Sequence, residues 1–317
     1  MNGSRHAERA RMTRQPTILP LRSTISADEI ERHCPGDGVV YACDFYVTGA
    51  EQWTPEAGGL RSGRILNVDH HAPLARMDRP MTSTRLAVDR VRAAGVAEPG
   101  SWVVVNHTDC DSVLSSSIML GLLEPDDDFV AAAVCADHTG KKNDVADLLQ
   151  ALDETRVGDR TPAQYVESMS NLRLLLQMGE LLDPVAVVAV LMRERNRTDA
   201  KTLLERFDVR DGLAFARCDR EIDGAFFVQP LKDAVVIMLA VPDARTPGNF
   251  VMKLRLGRSA PRGFSLHALN VVTWDPQYGG RANAGSNKRG GGTTMTPEEW
   301  AERLRSRLRE LKGAPRA

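Results

Sequence analysis

The chain has 317 residues, and its 41 Lys and Arg against 42 Asp and Glu give a formal net charge of −1. That balance excludes the strongly basic footprint of a dedicated duplex-binding protein, and an aromatic content of 5% leaves too few rings for a broad single-strand stacking platform. The length suggests two domains, and no apolar stretch is long enough to cross a membrane.

Residues 1–17 read as a disordered tail: Arg5, Arg9, Arg11 and Arg14 stand in a segment with little apolar content and no signal-like core. A first domain is expected over residues 18–155. Within it Val39 to Cys43, Arg64 to Val68, Trp102 to Asn106 and Val130 to Ala136 are short, nearly continuous apolar runs. Such runs suit strands buried on both faces of a parallel sheet. Thr82-Ser83-Thr84 opens a helix through Ala94, closed by Gly95, and Ser112 to Leu123 reads as a packed helix. The βα alternation predicts an α/β fold with a doubly wound, mainly parallel sheet.

Residues 156–210 turn helical and form a connector, with apolar positions from Asn171 to Leu176 and from Val185 to Met192. A smaller α/β domain is expected over 211–317. Its candidate strands are Ala225 to Val228, Ala234 to Val241, Phe250 to Leu256 and Leu266 to Val272. The last helix starts at Pro297, with Thr296 as N-cap and Glu299 at the capping-box position. The five cysteines form no CxxC pair and read as reduced core residues of a cytoplasmic protein.

Each apolar run of the first domain ends in metal-type ligands. The runs lead into Asp44, into Asp69-His70-His71, into His107, Asp109 and Asp111, and into Asp137 and His138. Ligands bind outside the carboxyl ends of strands in open α/β sheets, so segments far apart in sequence converge at one rim. Four of the seven histidines lie in these segments. An acidic turn or a capped strand end means little alone; the combination points to a shared site. Carboxylates crowded together repel, and divalent cations remove that cost. Oxygen and imidazole donors without thiolates favour Mn²⁺, with Mg²⁺, Fe²⁺ or Zn²⁺ also suited.

Here the chain resembles the DHH phosphoesterase superfamily. The residues that carry the resemblance are His107-Thr108-Asp109-Cys110-Asp111, Asp69-His70-His71, the lone acids Asp44 and Asp137, and the glycine-rich Gly279-Gly280-Arg281-Ala282-Asn283 and Gly290-Gly291-Gly292. The family's usual order places the HxDxD element first. Here it follows the DHH element, which implies a permuted first domain. The resemblance implies two divalent cations. His107, Asp109 and Asp44 would hold one, and Asp111, His70, Asp137 and again Asp44 the other. Asp69 would orient a ligand and His71 would meet the scissile phosphate.

The segment from Gly279 to Gly292 combines backbone freedom with anion-binding groups. Arg281, Asn283, Lys288, Arg289, Gly290, Gly291 and Gly292 are its candidate phosphate-binding residues. The family's terminal Gly-Gly-His lacks its histidine, because Thr293 follows Gly292. His267 reads as structural. The expected activity is two-metal hydrolysis of a small phosphorylated metabolite, short nucleotide or dinucleotide, in a cleft that hinge motion opens. The partners are then a small phosphorylated substrate and, as an open assembly, a homodimer; long nucleic acid and membrane are not expected. An oligoribonucleotide exonuclease, a catalytically silent nucleotide-binding protein and a nonhydrolytic biosynthetic role are the alternatives.

Overall fold

The computed structural model describes residues 15–22, 24–71, 81–280 and 282–313. These form two compact units. One runs to Asp137 and includes Lys141–Arg193; the other takes His138–Gly140 and the chain from Glu194 onward. The division falls inside a helix of the expected connector.

The first unit is built on a six-stranded sheet. Its strands are β1 (Thr17–Ile18), β3 (Val40–Cys43), β5 (Thr54–Glu56), β6 (Gly59–Ser62), β7 (Ile65–Val68) and β8 (Trp102–Val105), while β2 (Thr24–Ile25) and β4 (Tyr46–Val47) form a separate parallel pair. The sheet order is β1-β8-β3-β7-β6-β5. The pairs β1–β8, β8–β3 and β3–β7 are parallel, and only the β5–β6–β7 edge is antiparallel. Because Thr17 is already in β1, the expected tail gives way to the sheet one residue early.

Both faces of the central strands β3, β7 and β8 are covered, which is why these are apolar apart from Asn67, whereas the edge strands β5 and β6 carry Thr54, Glu56, Arg61 and Ser62. Tyr41, Cys43, Leu66, Val68, Val103 and Val105 pack on one side with residues of helices α2 (Ser83–Ala94), α3 (Cys110–Met119) and α4 (Asp127–Val134). The alternate residues Val40, Ala42, Ile65 and Val104 pack on the other with Ile30 of α1 (Ala27–His33). Helix α2 begins and ends as its sequence dictates, with Thr82 as N-cap and Gly95 as C-cap. Helices α5 (Asp144–Glu154), α6 (Pro162–Met178) and α7 (Pro184–Leu203) follow. Val185, Val188, Leu191 and Met192 of α7 are exposed.

One expected strand is a helix. Val130 to Ala136 lies in α4 and in the π-helical turn Cys135–Thr139 that continues it. Three consecutive alanines favour helix, and Asp126 caps the start by accepting the N–H of Asp128 at 2.9 Å. A continuous apolar run does not by itself separate a buried strand from a buried helix. Asp137 therefore arrives from a helix end.

The second unit carries its own six-stranded sheet, in the order β13-β14-β12-β11-β10-β9. The strands are β9 (Asp208–Arg210), β10 (Leu213–Arg217), β11 (Val236–Pro242), β12 (Phe250–Leu256), β13 (Gly279–Gly280) and β14 (Ala284–Ser286). Only β10–β11 is parallel. Met252 and Leu254 pack with Trp300, Leu304 and Leu308 of α8 (Pro297–Gly313). The capping box of α8 is present: Thr296 N donates to Glu299 Oε2 at 3.0 Å, and Glu299 N donates to Thr296 Oγ1 at 3.3 Å.

Two expected strands of this unit are 3-10 turns. Gly224–Phe227 turns because Asp223 caps the N–H of Ala225. Leu266–Leu269 turns because Ser265 caps the N–H of His267, and Asn270 at φ 52° ends it. His267 Nε2 lies 3.1 Å from the Gly280 carbonyl. None of the five cysteines is in a disulfide, and no described helix is long and apolar enough to cross a membrane.

Candidate metal centre

Three parallel strands deliver the site. Cys43 pairs with Val68, and Ala42 pairs with both Asn67 and Val104, so β3, β7 and β8 end level. The residues that leave these ends are Asp44, Asp69-His70-His71 and Asn106-His107. The chain order of the motifs therefore has no bearing on their meeting. Strand β3, with Asp44, lies between β8 and β7, so the lone acid sits between the two histidine-bearing ends.

Asp44 is a non-glycine residue at φ 60°, a left-handed conformation that costs energy and persists only where its surroundings enforce it. The enforcement comes from Asn67, whose side-chain amide donates to the carbonyls of Ala42 (3.2 Å) and Phe45 (2.9 Å) across the turn. The turn aims the Asp44 carboxylate, 1% exposed, into the rim.

Two of the donor groups found among the described residues carry the site. Asp44, His107 and Asp109 form one; Asp44, His70, Asp111 and Asp137 form the other; in each the candidate ligand atoms lie within 4.8 Å of one another. His107 Nε2 is 3.1 Å from Asp44 Oδ2 and 3.2 Å from Asp109 Oδ2. It is buried and makes a well-aimed hydrogen bond to neither. Its other nitrogen, Nδ1, is 2.6 Å from Asn106 Oδ1, and Asn106 is itself tied to the Arg22 carbonyl at 2.7 Å. Such a partner on Nδ1 turns Nε2 toward the centre, as in metal-bound imidazoles.

His70 is framed on both sides. Nδ1 lies 3.2 Å from Ser83 Oγ and 3.2 Å from Asp111 Oδ2, and Nε2 lies 3.6 Å from Asp137 Oδ2. Ser83 donates its hydroxyl to Asp44 Oδ1 at 2.9 Å. Asp111 accepts from the backbone N–H groups of Ser83 and Thr84, both at 2.7 Å, and from Thr84 Oγ1 at 2.6 Å. The positive end of α2 thus holds one carboxylate of the centre. Three hydrogen bonds leave Asp111 room for about one further contact. Asp69 accepts the His71 backbone N–H at 3.0 Å and a short bond from His71 Nδ1, which fixes that ring.

The electrostatics follow from the burial. Burial, then the charges of Asp111 and Asp109, pushes the Asp44 carboxyl well above its usual range. Burial would depress His70, but the Asp111 hydrogen bond and the carboxylates around it bring it up to about 9. His107 is likewise carried well above its ordinary value, against burial, by Asp109 and Asp44. Burial would raise Asp111, and its bonds to His70 and Thr84 bring it below the carboxylate range. Protons on imidazoles here do what a cation would do better: they neutralise converging carboxylates. The thiols of Cys43 and Cys110 are pushed well up by burial and then by the acids, so they stay protonated. The donors are oxygen and imidazole, a set that fits hard or borderline divalent cations. His107 Nε2, buried and without a sound hydrogen bond, is the clearest mark of that fit.

Sequence reasoning singled out the acids and histidines and missed what holds them. Ser83 and Thr84 read only as a helix start. Thr108, between two of the candidate ligands, donates its N–H (3.1 Å) and hydroxyl (2.8 Å) to Asp153 Oδ1. Asp153 is in turn gripped by Arg160, and Arg156 donates to Thr108 Oγ1 at 2.8 Å. Spacing in the sequence carries no signal for these partners, because they lie 45 and 48 residues away.

In the second unit the glycine-rich segment is braced rather than open. Asn287 Nδ2 and Trp300 Nε1 both donate to Asp275 Oδ2, at 2.9 and 3.0 Å, and Asn287 Oδ1 accepts from Met252 N at 2.8 Å. The N–H groups of Gly290 and Gly292 donate to the Asn287 carbonyl, and that of Gly291 to the Lys288 carbonyl. These glycine donors are used within the loop, because the turn closes on itself. Asn283 is partly buried, and its carbonyl accepts from Leu256 N. Arg281 and the side chain of Arg289 lie outside the described residues.

No protein-family description and no curated protein matches the chain. Solved structures that it is similar to include a pGpG-specific phosphodiesterase from Vibrio cholerae, at 9% identity over 86% of this chain and 99% of that one, with a TM-score of 0.45. RecJ from Thermus thermophilus in complex with Mg²⁺ matches at 16% identity over 75% and 35%, with a TM-score of 0.35. An exopolyphosphatase-related protein from Bacteroides fragilis matches at 12% over 86% and 82%, with a TM-score of 0.32. It is the rim itself, with Asp44 between the Asp69-His70-His71 and His107-Thr108-Asp109-Cys110-Asp111 elements, in which this chain resembles the DHH phosphoesterase superfamily.

Proposed function

We propose that the protein is a metal-dependent phosphoric ester hydrolase that uses two divalent cations, Mn²⁺ first among them, on a small phosphorylated metabolite or a short nucleotide. The observation that carries this reading is the pair of donor groups sharing Asp44. Asp44, His107 and Asp109 would hold one cation. Asp44, His70, Asp137 and the braced Asp111 would hold the other.

Two such cations, when bound, supply an activated water and charge neutralisation for phosphoryl transfer. The chain's own residues do the positioning. Asp44 offers an oxygen to each group from a turn that the Asn67 amide braces. Asn106 and Ser83 orient the two imidazoles. Asp69 fixes the tautomer and plane of His71, and we assign His71 to the scissile phosphate, where it stabilises charge or protonates the leaving oxygen. In the second unit Lys288, Arg289 and Arg281 are the phosphate-binding groups of this reading.

The test is turnover of a panel of phosphorylated metabolites and dinucleotides with Mn²⁺, Mg²⁺, Fe²⁺ and Zn²⁺ in turn. Hydrolysis that requires one of these ions supports the reading. No turnover of any phosphoester with any of the four ends it.

A further inference from the structure

We propose that Lys253 and Lys288 form a phosphate clamp in the second unit, with the Glu221 carboxylate as its resident anion, displaced when a terminal phosphate arrives. The proposal rests on the phosphoesterase reading for the source of the ligand, while the clamp is argued from its own geometry.

The glycine-rich loop draws attention as an anion site, yet the N–H groups of Gly290, Gly291 and Gly292 are satisfied inside it. Its anion-binding capacity therefore rests with side chains. Lys288 Nζ lies 2.6 Å from Glu221 Oε2, and Lys253 Nζ lies 2.8 Å from Glu221 Oε1. Two ammonium groups thus approach one carboxylate, each on its own oxygen. The nearby Arg245 guanidinium is balanced by Asp243. One positive charge is left over at the three-residue cluster.

The two cations stand on anchored backbone and the anion does not. Lys253 stands on β12, where its backbone is paired with Leu239 of β11 and Ser286 of β14. Lys288 follows Asn287, which is fully buried and bonded to Asp275 and to Met252 N. Glu221 belongs to no regular element; its side chain is 46% exposed, against 49% for Lys288 and 26% for Lys253. Against the effect of burial, the two lysines bring Glu221 down to about 2, so it is a carboxylate under all working conditions.

A phosphoryl group presents the same pair of oxygens to the same pair of donors. A terminal phosphate monoester carries nearly two negative charges near neutral pH, against one on Glu221. A diester carries one and gains nothing by the exchange. Glu221 would therefore act as a filter that favours ligands with a terminal phosphate.

Calorimetric titration of the metal-free full-length protein with inorganic phosphate and with methyl and dimethyl phosphate tests the clamp. Phosphate and methyl phosphate should bind and dimethyl phosphate should not. Glu221→Gln should tighten phosphate binding by about tenfold and Lys253→Met should weaken it by a similar factor, the size of one charge-assisted hydrogen bond; Lys253→Arg should retain it. The clamp is overturned if wild type does not bind phosphate, if Glu221→Gln leaves affinity unchanged or weaker, or if Lys253→Met binds as wild type does. Thermal unfolding of each variant separates loss of the site from loss of the fold, and Lys253→Arg keeps the test valid if Lys253→Met does not fold. Mn²⁺ titration of the wild-type protein reports independently on the first unit. Its failure would sink the phosphoesterase reading and leave the phosphate result standing.

Discussion

Asp44 and Ser83 meet through one 2.9 Å hydrogen bond that joins a strand end to a helix start, and the same Ser83 hydroxyl faces His70 Nδ1 at 3.2 Å. A single hydroxyl thereby sets the orientation of the shared carboxylate and of an imidazole on its far side. Ser83→Ala should leave the fold intact and lower Mn²⁺ affinity by about 10–100-fold, as loss of a group that orients a metal ligand does. Calorimetric Mn²⁺ titration checks this; unchanged affinity would remove Ser83 from the centre.

Asp44→Asn is the sharpest probe of a shared ligand. Asparagine tolerates the left-handed backbone at φ 60°, so the turn should persist. If Asp44 serves both groups, both cations should be weakened together and turnover should fall by more than about 100-fold. Metal stoichiometry by elemental analysis is the readout. Retention of two tightly bound ions would show that the groups do not share it.

Thr84→Val removes one of three hydrogen bonds to the fully buried Asp111. A buried carboxylate deprived of a donor should cost about 1–3 kcal/mol of stability. Denaturant unfolding of the metal-free protein measures it, and a change within about 0.5 kcal/mol would mean that the remaining donors suffice.

The protonation of the rim sets a pH dependence with a definite sign. His70 titrates at about 9 in the folded protein, above its ordinary 6.5, and His107 is also raised. A raised imidazole stabilises the metal-free fold fully below its unfolded value, and this contribution is lost as pH rises from about 6.5 through about 9. Cation binding requires the neutral ring and releases the proton, so Mn²⁺ affinity should rise over the same interval. Melting temperatures with and without Mn²⁺ should therefore diverge as pH increases from 6.5 to about 9. Parallel curves would contradict the assignment of these histidines.

Asp153→Ala removes the acceptor that fastens Thr108, between His107 and Asp109. It also leaves Arg160, whose side chain is 7% exposed, without its partner. The expected result is a fall of about 10–100-fold in Mn²⁺ affinity with no ligand removed. Asp153→Asn, which keeps an acceptor oxygen for Thr108, should recover part of it; a full loss in both variants would point to general misfolding instead.

Much of this was legible in the chain. Alternating burial on two faces requires apolar strands, so Val40 to Cys43, Ile65 to Val68 and Trp102 to Val105 announced themselves, and Asp44, His70 and His107 at their ends stood out as a set by that position. Caps at Thr82, Gly95 and Thr296 were equally readable, because local hydrogen bonds decide them. The Ala131–Ala133 run was not, since continuous hydrophobicity lacks the period that separates helix from strand. Leu266 to Val272 failed for a related reason: a short apolar stretch yields to a cap and a left-handed residue that only the folded turn displays.

The residue types of the site, and the strand-end places of Asp44, His70 and His107, were determined by sequence alone: an ionisable group inside a doubly covered sheet has no water to solvate it, so such groups gather where strands leave the sheet. Tertiary structure decided the rest. Strand order put β3 between β8 and β7, and that adjacency made Asp44 common to both donor groups whatever the order of the motifs along the chain. The bonds from Ser83, Thr84, Asn106 and Asp153 link residues remote in sequence, and the glycine loop closed upon its own donors. Such pairings depend on distances in space that no one-dimensional pattern encodes.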